Sequence, residues 1–452
     1  MIISASKYSN DGFSLALNGD VFTVKYPANV WEPYNQKEFL MDNFLYLNAL
    51  QIPLFLKLGD CRIPHIKLNS PEALLKPFFI LNHINFIPFA ADLLGESSMD
   101  WIKTYLESTI ICKNDNTQIP PLPESNFEEK AVINFSFGKD SLLSFALVRE
   151  IGLKSELLRI EESDAPMENQ YLTTCEEKFS KELNVNMHNI KNGTGPLSDY
   201  SYWKVRQTEW GNGDFITNYT LLSLPFIHYF KSKYLIFGNE RSCNDYYINS
   251  EGFKSYPVFD QSSYWLKELT KIMMLTTNNQ ATVGSVIESI HELAIIKILH
   301  DRYPEIAKYQ VSCFPDEAIL MKNERWCSNC SKCARTFSFL KANGIDVKNL
   351  GFKENLFDKK YKGLYSLFGG ENATIPYDAS GLNRDEQLLA FYLAYRQGER
   401  GDLIDIFKTT FLDEAMKRED ELHKEYLGVH ESLTCPKKYY HQIRSILKEE
   451  LN

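Results

Sequence analysis

Apolar residues along this chain change their spacing from segment to segment, and those changes predict the architecture. Phe13-Ser14-Leu15-Ala16-Leu17 and Val21-Phe22-Thr23-Val24 alternate on either side of Asn18-Gly19. Alternation at every second position marks a strand with one buried face, and Asn-Gly between two such runs favours a type I′ hairpin turn. Residues 36–50 and 99–109 carry their apolar side chains at helical spacing, so residues 1–112 read as a small α+β domain. Residues 113–130 hold Ile119-Pro120-Pro121-Leu122-Pro123 among polar side chains, which suits neither a helix nor an inner strand; this is the expected linker.

From Ala131 the pattern turns to strand, helix, strand. Ala131-Val132-Ile133-Asn134-Phe135 is apolar and partly β-branched, and Leu142 to Leu147 follows at helical spacing. Further strands are expected at 155–160, 185–190 and 234–237, with a helix over 167–183. That order predicts an α/β fold over residues 131–345, with a parallel sheet covered on both faces and ligands at the carboxyl ends of its strands. Glu161, just beyond the second strand, falls near where a nucleotide base would sit. Residues 346–452 are turn-rich over 370–380 and then helical, from a cap at Asn383 through 403–421 and 439–451, giving a helical C-terminal extension.

Composition narrows the function. At 452 residues with 44% hydrophobic and 24% charged positions, the chain has room for two or three ordinary globular domains. A formal net charge of −10 argues against a broad nucleic-acid surface, which needs a basic stripe to neutralise phosphates. The longest apolar run, 77–91, should be broken by Pro88 and carries Asn82, His83 and Asn85, so no membrane span is expected. With no secretory signal pattern at Met1-Ile2-Ile3-Ser4, the expected location is cytoplasmic.

Two motifs carry chemistry. Ser136-Phe137-Gly138-Lys139-Asp140-Ser141 lies between the first strand and helix of the α/β region. A helix N-terminus offers unpaired N–H groups and partial positive charge to an anion. Ser136 and Ser141 add hydroxyls, Lys139 adds a point charge, and Gly138 lets the backbone approach a phosphate. The spacing differs from the Walker loop, G-x-x-x-x-G-K-[ST], so an ordinary P-loop NTPase is disfavoured. The second motif is Cys313, Cys327, Cys330 and Cys333, spaced C-x13-C-x2-C-x2-C. Thiolates two residues apart can turn onto one ion and a distant fourth closes a tetrahedron, so a structural zinc is expected. An iron–sulfur cluster and disulfides are the competing readings. The other five cysteines are scattered and read as small buried hydrophobes.

The first motif resembles the S-G-G-x-D-S signature of PP-loop ATP pyrophosphatases, with Phe137 where the first glycine is usual. A PP-loop followed by the late cysteines is similar to the QueC-like family of 7-cyano-7-deazaguanine synthases. Thr217-Asn218 with Leu221-Leu222 resembles that family's R-N-x-x-x-L helix start, with Thr217 in place of arginine. Gly238-Asn239-Glu240 through Asp245 resembles its G-x-N-x-x-D loop, and Tyr256-Pro257 with Phe259 its Y-P-D-C-R-P-E-F segment, here without Asp-Cys-Arg. The resemblance spans about residues 130–345.

It implies cleavage of ATP to AMP and pyrophosphate with Mg2+, through an acyl-adenylate of a 7-carboxy-7-deazaguanine-type acid. Asp140, Lys139 and Ser141 would be catalytic, with Ser136, Phe137 and Gly138 completing the phosphate cradle. Asn218, Gly238, Asn239, Glu240, Asp245 and Tyr256 would bind the base, and Cys313, Cys327, Cys330 and Cys333 a structural Zn2+. The amine acceptor is open between ammonia and the N-terminus of a co-encoded partner protein, as in antiphage QueC-like systems that carry added regions. A tRNA sulfurtransferase, which shares the loop, and a catalytically idle scaffold are the readings from other classes. A homodimer is left open.

Overall fold

The computed structural model describes residues 2–17, 19–58, 65–123, 125–311 and 325–451. Twelve strands lie in it: β1 (Ile2–Ser9), β2 (Gly12–Leu17), β3 (Asp20–Lys25), β4 (His65–Leu68), β5 (Thr109–Ile111), β6 (Glu128–Asn134), β7 (Lys154–Glu162), β8 (Met187–Asn192), β9 (Ser232–Ile236), β10 (Tyr247–Ile248), β11 (Lys254–Ser255) and β12 (Thr282–Gly284). Ten of them make one sheet in the order β12-β9-β6-β7-β8-β3-β2-β1-β4-β5. The five strands from β12 to β8 are parallel. Counted from β6 in chain order, they run 3-2-1-4-5, a doubly wound arrangement whose order reverses between β6 and β9.

Alternation along the parallel strands feeds two cores. Val132, Leu158, Ile190 and Leu235 face a cluster with the helices Phe215–Phe230, Ser263–Thr276 and Lys37–Leu50. Ala131, Ile133, Leu157 and Ile236 face the other, with the helices Lys139–Glu150, Glu292–Arg302 and Tyr440–Leu451. Helices therefore cover both faces, as the pattern predicts. A third core gathers Leu293, Trp326, Phe337, Phe357 and Phe391 with the C-terminal helices Arg384–Arg396 and Asp402–Thr410.

The first 112 residues do more than form a neighbouring unit. The hairpin β2/β3 forms in the expected register, Leu17 opposite Asp20, although Asn18 of its turn lies outside the described residues. β3 then pairs antiparallel with β8, Val24 opposite Asn192, so the N-terminal strands extend the α/β sheet. Gly193 makes this seam fit: its N–H donates to the Thr23 carbonyl at 2.9 Å, and a Cβ there would lie 2.5 Å from that oxygen.

Three expectations need correction. Pro88 does not break the apolar run: one helix spans Lys76–Leu93 with Pro88 buried inside it, and the packed flank sustains the lost backbone bond. The 403–421 segment is three short helices, Asp402–Thr410, Leu412–Lys417 and Glu419–Tyr426, jointed at Phe411 and Arg418. Of the scattered cysteines, Cys243 is buried, whereas Cys112, Cys175 and Cys435 are half-buried; Cys61 lies outside the described residues. Among the described residues, one stretch, Lys37–Leu58, is apolar and long enough to cross a membrane, and 94% of its window is buried inside the molecule, as in a core helix.

Candidate functional site

β6 ends at Asn134, and the chain turns through Ser136–Gly138 into the helix Lys139–Glu150. Phe137 takes φ +59°, the left-handed region where a bulky residue is strained by about 1–2 kcal/mol. Its ring is fully buried and meets Phe135 and Phe179 edge-on at 4.9 and 5.4 Å, while its carbonyl accepts from Val311 N at 2.8 Å. Burying a phenyl ring is worth about 1.5–3 kcal/mol, so packing holds the strained turn in place. Gly138 is the N-cap and no side chain caps this helix. Ser141 Oγ donates to the Gly138 carbonyl at 3.1 Å and accepts from Ser136 N at 3.2 Å, and Ser136 itself is exposed. The loop is an open helix N-terminus edged with hydroxyls, which suits an anion.

Behind the loop lies a buried ion network. Lys139 Nζ sits 2.8 Å from Asp140 Oδ2 and 3.0 Å from Glu292 Oε2. Glu292 also meets Arg335 at 3.4 Å, and Arg335 pairs with Asp378 on the far side. Burial works against the Lys139 charge, but Asp140, Glu292 and Glu240 overcome it and hold the ammonium above its ordinary range. Burial likewise opposes ionisation of Glu292, yet Arg335 and Lys139 hold its carboxyl well below the usual range. Glu240 and Glu386 are pushed up by burial and by Glu292, and Asp140 is raised by burial against the pull of Lys139. The Asp378 and Glu386 carboxyls each keep one buried oxygen without a hydrogen-bond partner. Lys139 and Arg335 face five carboxyls, with Lys332 acting from nearby, and burial raises four of the five while Glu292 is held down.

The predicted base-binding residues divide. Gly238 lies directly against the loop: a Cβ there would sit 2.8 Å from Asp140 Cβ and 3.2 Å from Ser141 N, so only glycine fits. This contact falls at the carboxyl ends of β6 and β9, the reversal point of the sheet. Glu240 accepts from Ser242 N at 2.7 Å, and its charge acts on Lys139 and Asp140. Asn239 donates to the Gln261 carbonyl at 2.8 Å, and Asp245 accepts from Tyr377 Oη at 2.8 Å. Asn218 is buried with its Oδ1 unpartnered. Tyr256 stands in a separate aromatic ladder with Tyr246 and Phe259. Thr217, where the resembling family has arginine, is fully buried between Trp265 Nε1, 2.8 Å from its hydroxyl, and Asn82 of the N-terminal region.

Glu161, at the carboxyl end of β7, is taken up in an ion pair with the buried Arg159. Its neighbour Glu162 points the other way: its two oxygens accept from Asn192 Nδ2 at 3.2 and 3.0 Å, and Tyr219 bonds it. Burial pushes Glu162 and Glu168 up to about 7 each. Period-two alternation explains the switch, since adjacent strand residues face opposite sides.

Cys327, Cys330 and Cys333 bring their sulfurs within 4.8 Å of one another, and this group could hold a metal such as zinc. Cys330 Sγ accepts from Cys333 N at 3.3 Å as the N-cap of the helix Ser331–Ala342, and Ser328, at φ +52°, turns the knuckle. Cys313 lies outside the described residues. The same helix carries Arg335 into the ion network and Lys332 to where its charge acts on Asp140, Glu168 and Glu292.

Glu292, Arg335, Asp378 and Glu386 were absent from the sequence-based site. One signal was present: His291-Glu292 interrupts the apolar run from Ile290 to Ile296, and a charge in a buried run needs a partner. Neither a protein-family model nor a curated protein matches the chain.

Proposed function

We propose that this chain is a QueC-like ATP-dependent ligase acting on a 7-deazaguanine-type acid. A carboxylate oxygen attacks the α-phosphorus of ATP and pyrophosphate leaves; an amine then attacks the acyl carbon, AMP leaves and a proton is released. The observation that carries this reading is the seating of Gly238 against Asp140 and Ser141, beside a left-handed Phe137, at the sheet's reversal point.

In this reading the open helix start and the Ser136 and Ser141 hydroxyls grip the phosphates, and Lys139 balances their charge. The hard oxygens of Asp140 suit Mg2+ bound together with phosphates, where it would neutralise the departing pyrophosphate. The cluster of Cys327, Cys330 and Cys333 suits a structural Zn2+ that would fix the helix carrying Lys332 and Arg335.

The C-terminal extension favours a protein amine over ammonia as acceptor. Tyr377 reaches Asp245, and Asp378 and Glu386 reach the ion network, while the cavity of about 300 Å³ beside Asn244, between Tyr264 and Leu433, is lined by none of Ser136–Ser141. A cavity of about 240 Å³ near Tyr34 and Pro121 is in the N-terminal region, away from the loop. Ammonia needs no such walls. Transfer to the N-terminus of a co-encoded partner, as in antiphage QueC-like systems, is the form we favour. An α-amine with pKa near about 8 is partly unprotonated at neutral pH and can attack an adenylate without a strong base.

The test is product analysis with ATP, Mg2+ and 7-carboxy-7-deazaguanine, with and without ammonium or co-encoded proteins. AMP and pyrophosphate are expected, together with a mass shift on the partner's first residue. Asp140→Ala and Ser141→Ala should each slow turnover by about 10²–10³-fold. ADP and phosphate would place the protein in another class, and a nitrile formed rapidly from ammonium alone would make ammonia the acceptor.

A further inference from the structure

Beside Glu292 along the chain, His291 meets two side chains from a distant segment. His291 is the N-cap of the helix Glu292–Arg302, Glu425 lies in the last turn of Glu419–Tyr426, and His430 follows in the loop beyond. Their ligand atoms lie within 4.8 Å of one another. We propose that His291, Glu425 and His430 form a binding site for a divalent transition-metal ion of the zinc class, separate from the cysteine cluster.

The geometry is close to what such an ion needs. Metal bonds of 2.0–2.2 Å in a tetrahedron put ligand atoms roughly 3.3–3.5 Å apart. Glu425 Oε1 is 3.1 Å from His291 Nε2 and 4.0 Å from His430 Nε2, so shifts of a few tenths of an ångström would suffice. The rings are already held: the two imidazoles stand edge to face at 5.7 Å, Tyr426 flanks His291 at 4.9 Å, and His430 N donates to the Ser289 carbonyl at 2.8 Å.

The donor chemistry fits as well. Two imidazoles and a carboxylate suit zinc, nickel, cobalt or ferrous iron rather than magnesium or calcium. Two contacts compete with the ion. Arg241 Nε lies 3.3 Å from Glu425 Oε1, and His430 Nε2 donates to the Glu425 carbonyl at 2.7 Å. Metal must displace both, which makes the site weaker than a closed thiolate site and exchangeable. Three protein ligands also leave room for water. Because Glu292 follows His291 directly, a bound ion would tie the C-terminal helices to the residue that grips Lys139.

The full-length protein, its cysteine site filled with Zn2+, is titrated with Co2+ and followed by visible absorption and calorimetry. One further equivalent is expected, with the weak bands of nitrogen and oxygen ligands and no thiolate charge-transfer band. His430→Ala and Glu425→Gln should weaken it at least about tenfold, judged against the 10–100-fold typical of even outer partners. Arg241→Met should strengthen it several-fold, a gain that misfolding cannot produce. The proposal is overturned if no such equivalent binds up to millimolar Co2+. It is also overturned if Arg241→Met binds no more tightly than the parent, whether or not the other variants fold.

Discussion

Two ion-pair clusters in this molecule use the same residue types and are built for different purposes. Around Lys139, the side chains of Lys139, Glu292, Arg335 and Asp378 are 10% exposed or less. Around Arg418, the side chains of Arg384, Asp385, Arg418 and Glu414 are 28–37% exposed. The surface cluster, two arginines against Asp385, Glu414 and Glu421, is screened by water, so each of its pairs contributes little. The buried cluster has too many carboxyls, pays for them with perturbed protonation, and sits behind an open helix N-terminus. An arrangement that burdens the fold points to a ligand that relieves the burden.

Arg335→Met is expected to have the largest effect on stability. It leaves Glu292 and Asp378 buried without their guanidinium, and breaking a buried pair by removing one partner costs about 3–5 kcal/mol. Urea unfolding should show the loss as a lower midpoint at unchanged slope. A loss below about 1 kcal/mol would mean that the two clusters do not differ.

Phe137→Gly comes next, and here two magnitudes compete. Glycine removes about 1–2 kcal/mol of left-handed strain, while emptying the ring's place between Phe135 and Phe179 costs about 3–5 kcal/mol. Packing wins, and a net loss of about 2 kcal/mol is expected. A variant more stable than the parent would show that the ring contributes less than the strain it imposes.

How much of this could be read from the sequence follows the range of each interaction. The strand Ala131–Phe135, the loop Ser136–Ser141 and the cysteines 327–333 are local patterns whose chemistry is written in adjacent residues, and the structure brings each together. Gly238 was named through the family resemblance, and its contact with Asp140 gives that naming a steric reason. The pairing of Val24 with Asn192, 168 positions apart, leaves no local trace. Arg335 with Asp378, and Leu293 N with Glu386, are equally silent: each residue alone looks like an ordinary surface charge on a helix. Strand phase is finer still at Glu161 and Glu162, where a shift of one residue decides which side of the sheet a carboxyl serves.

Glu162 and Glu168 sharpen the comparison through pH. Both fold with pKa values near 7, raised by burial from an ordinary 4.5, so the native state binds their protons more tightly than the unfolded chain does. Their contribution is fully present below about pH 4.5 and is lost as pH rises through 7. Glu129 and Glu425, held near 2, act oppositely and at lower pH, where the stability they supply is lost on acidification. Urea midpoints should therefore fall between pH 5 and 7.5, and Glu162→Gln should flatten that fall. A parent midpoint that rises across this window would contradict the assignment.

The smallest expected effect tests the other half of the comparison. Arg418 contacts Asp385, Glu414 and Glu421 and donates to all three, so a count of bonds would rank it with Arg335. Its partners, however, can turn to water when it is removed, and Arg384 remains to pair with Asp385 and Glu414. Exposed pairs are worth about 0–1 kcal/mol each and are not additive, so Arg418→Met should cost about 1 kcal/mol or less. Salt separates the two mechanisms further. Screening at high ionic strength weakens exposed pairs and leaves buried ones nearly untouched, so the Arg418→Met penalty should vanish at 1 M NaCl while that of Arg335→Met persists. If both penalties vanish, water reaches the Lys139 network and its carboxyls need no ligand to balance them.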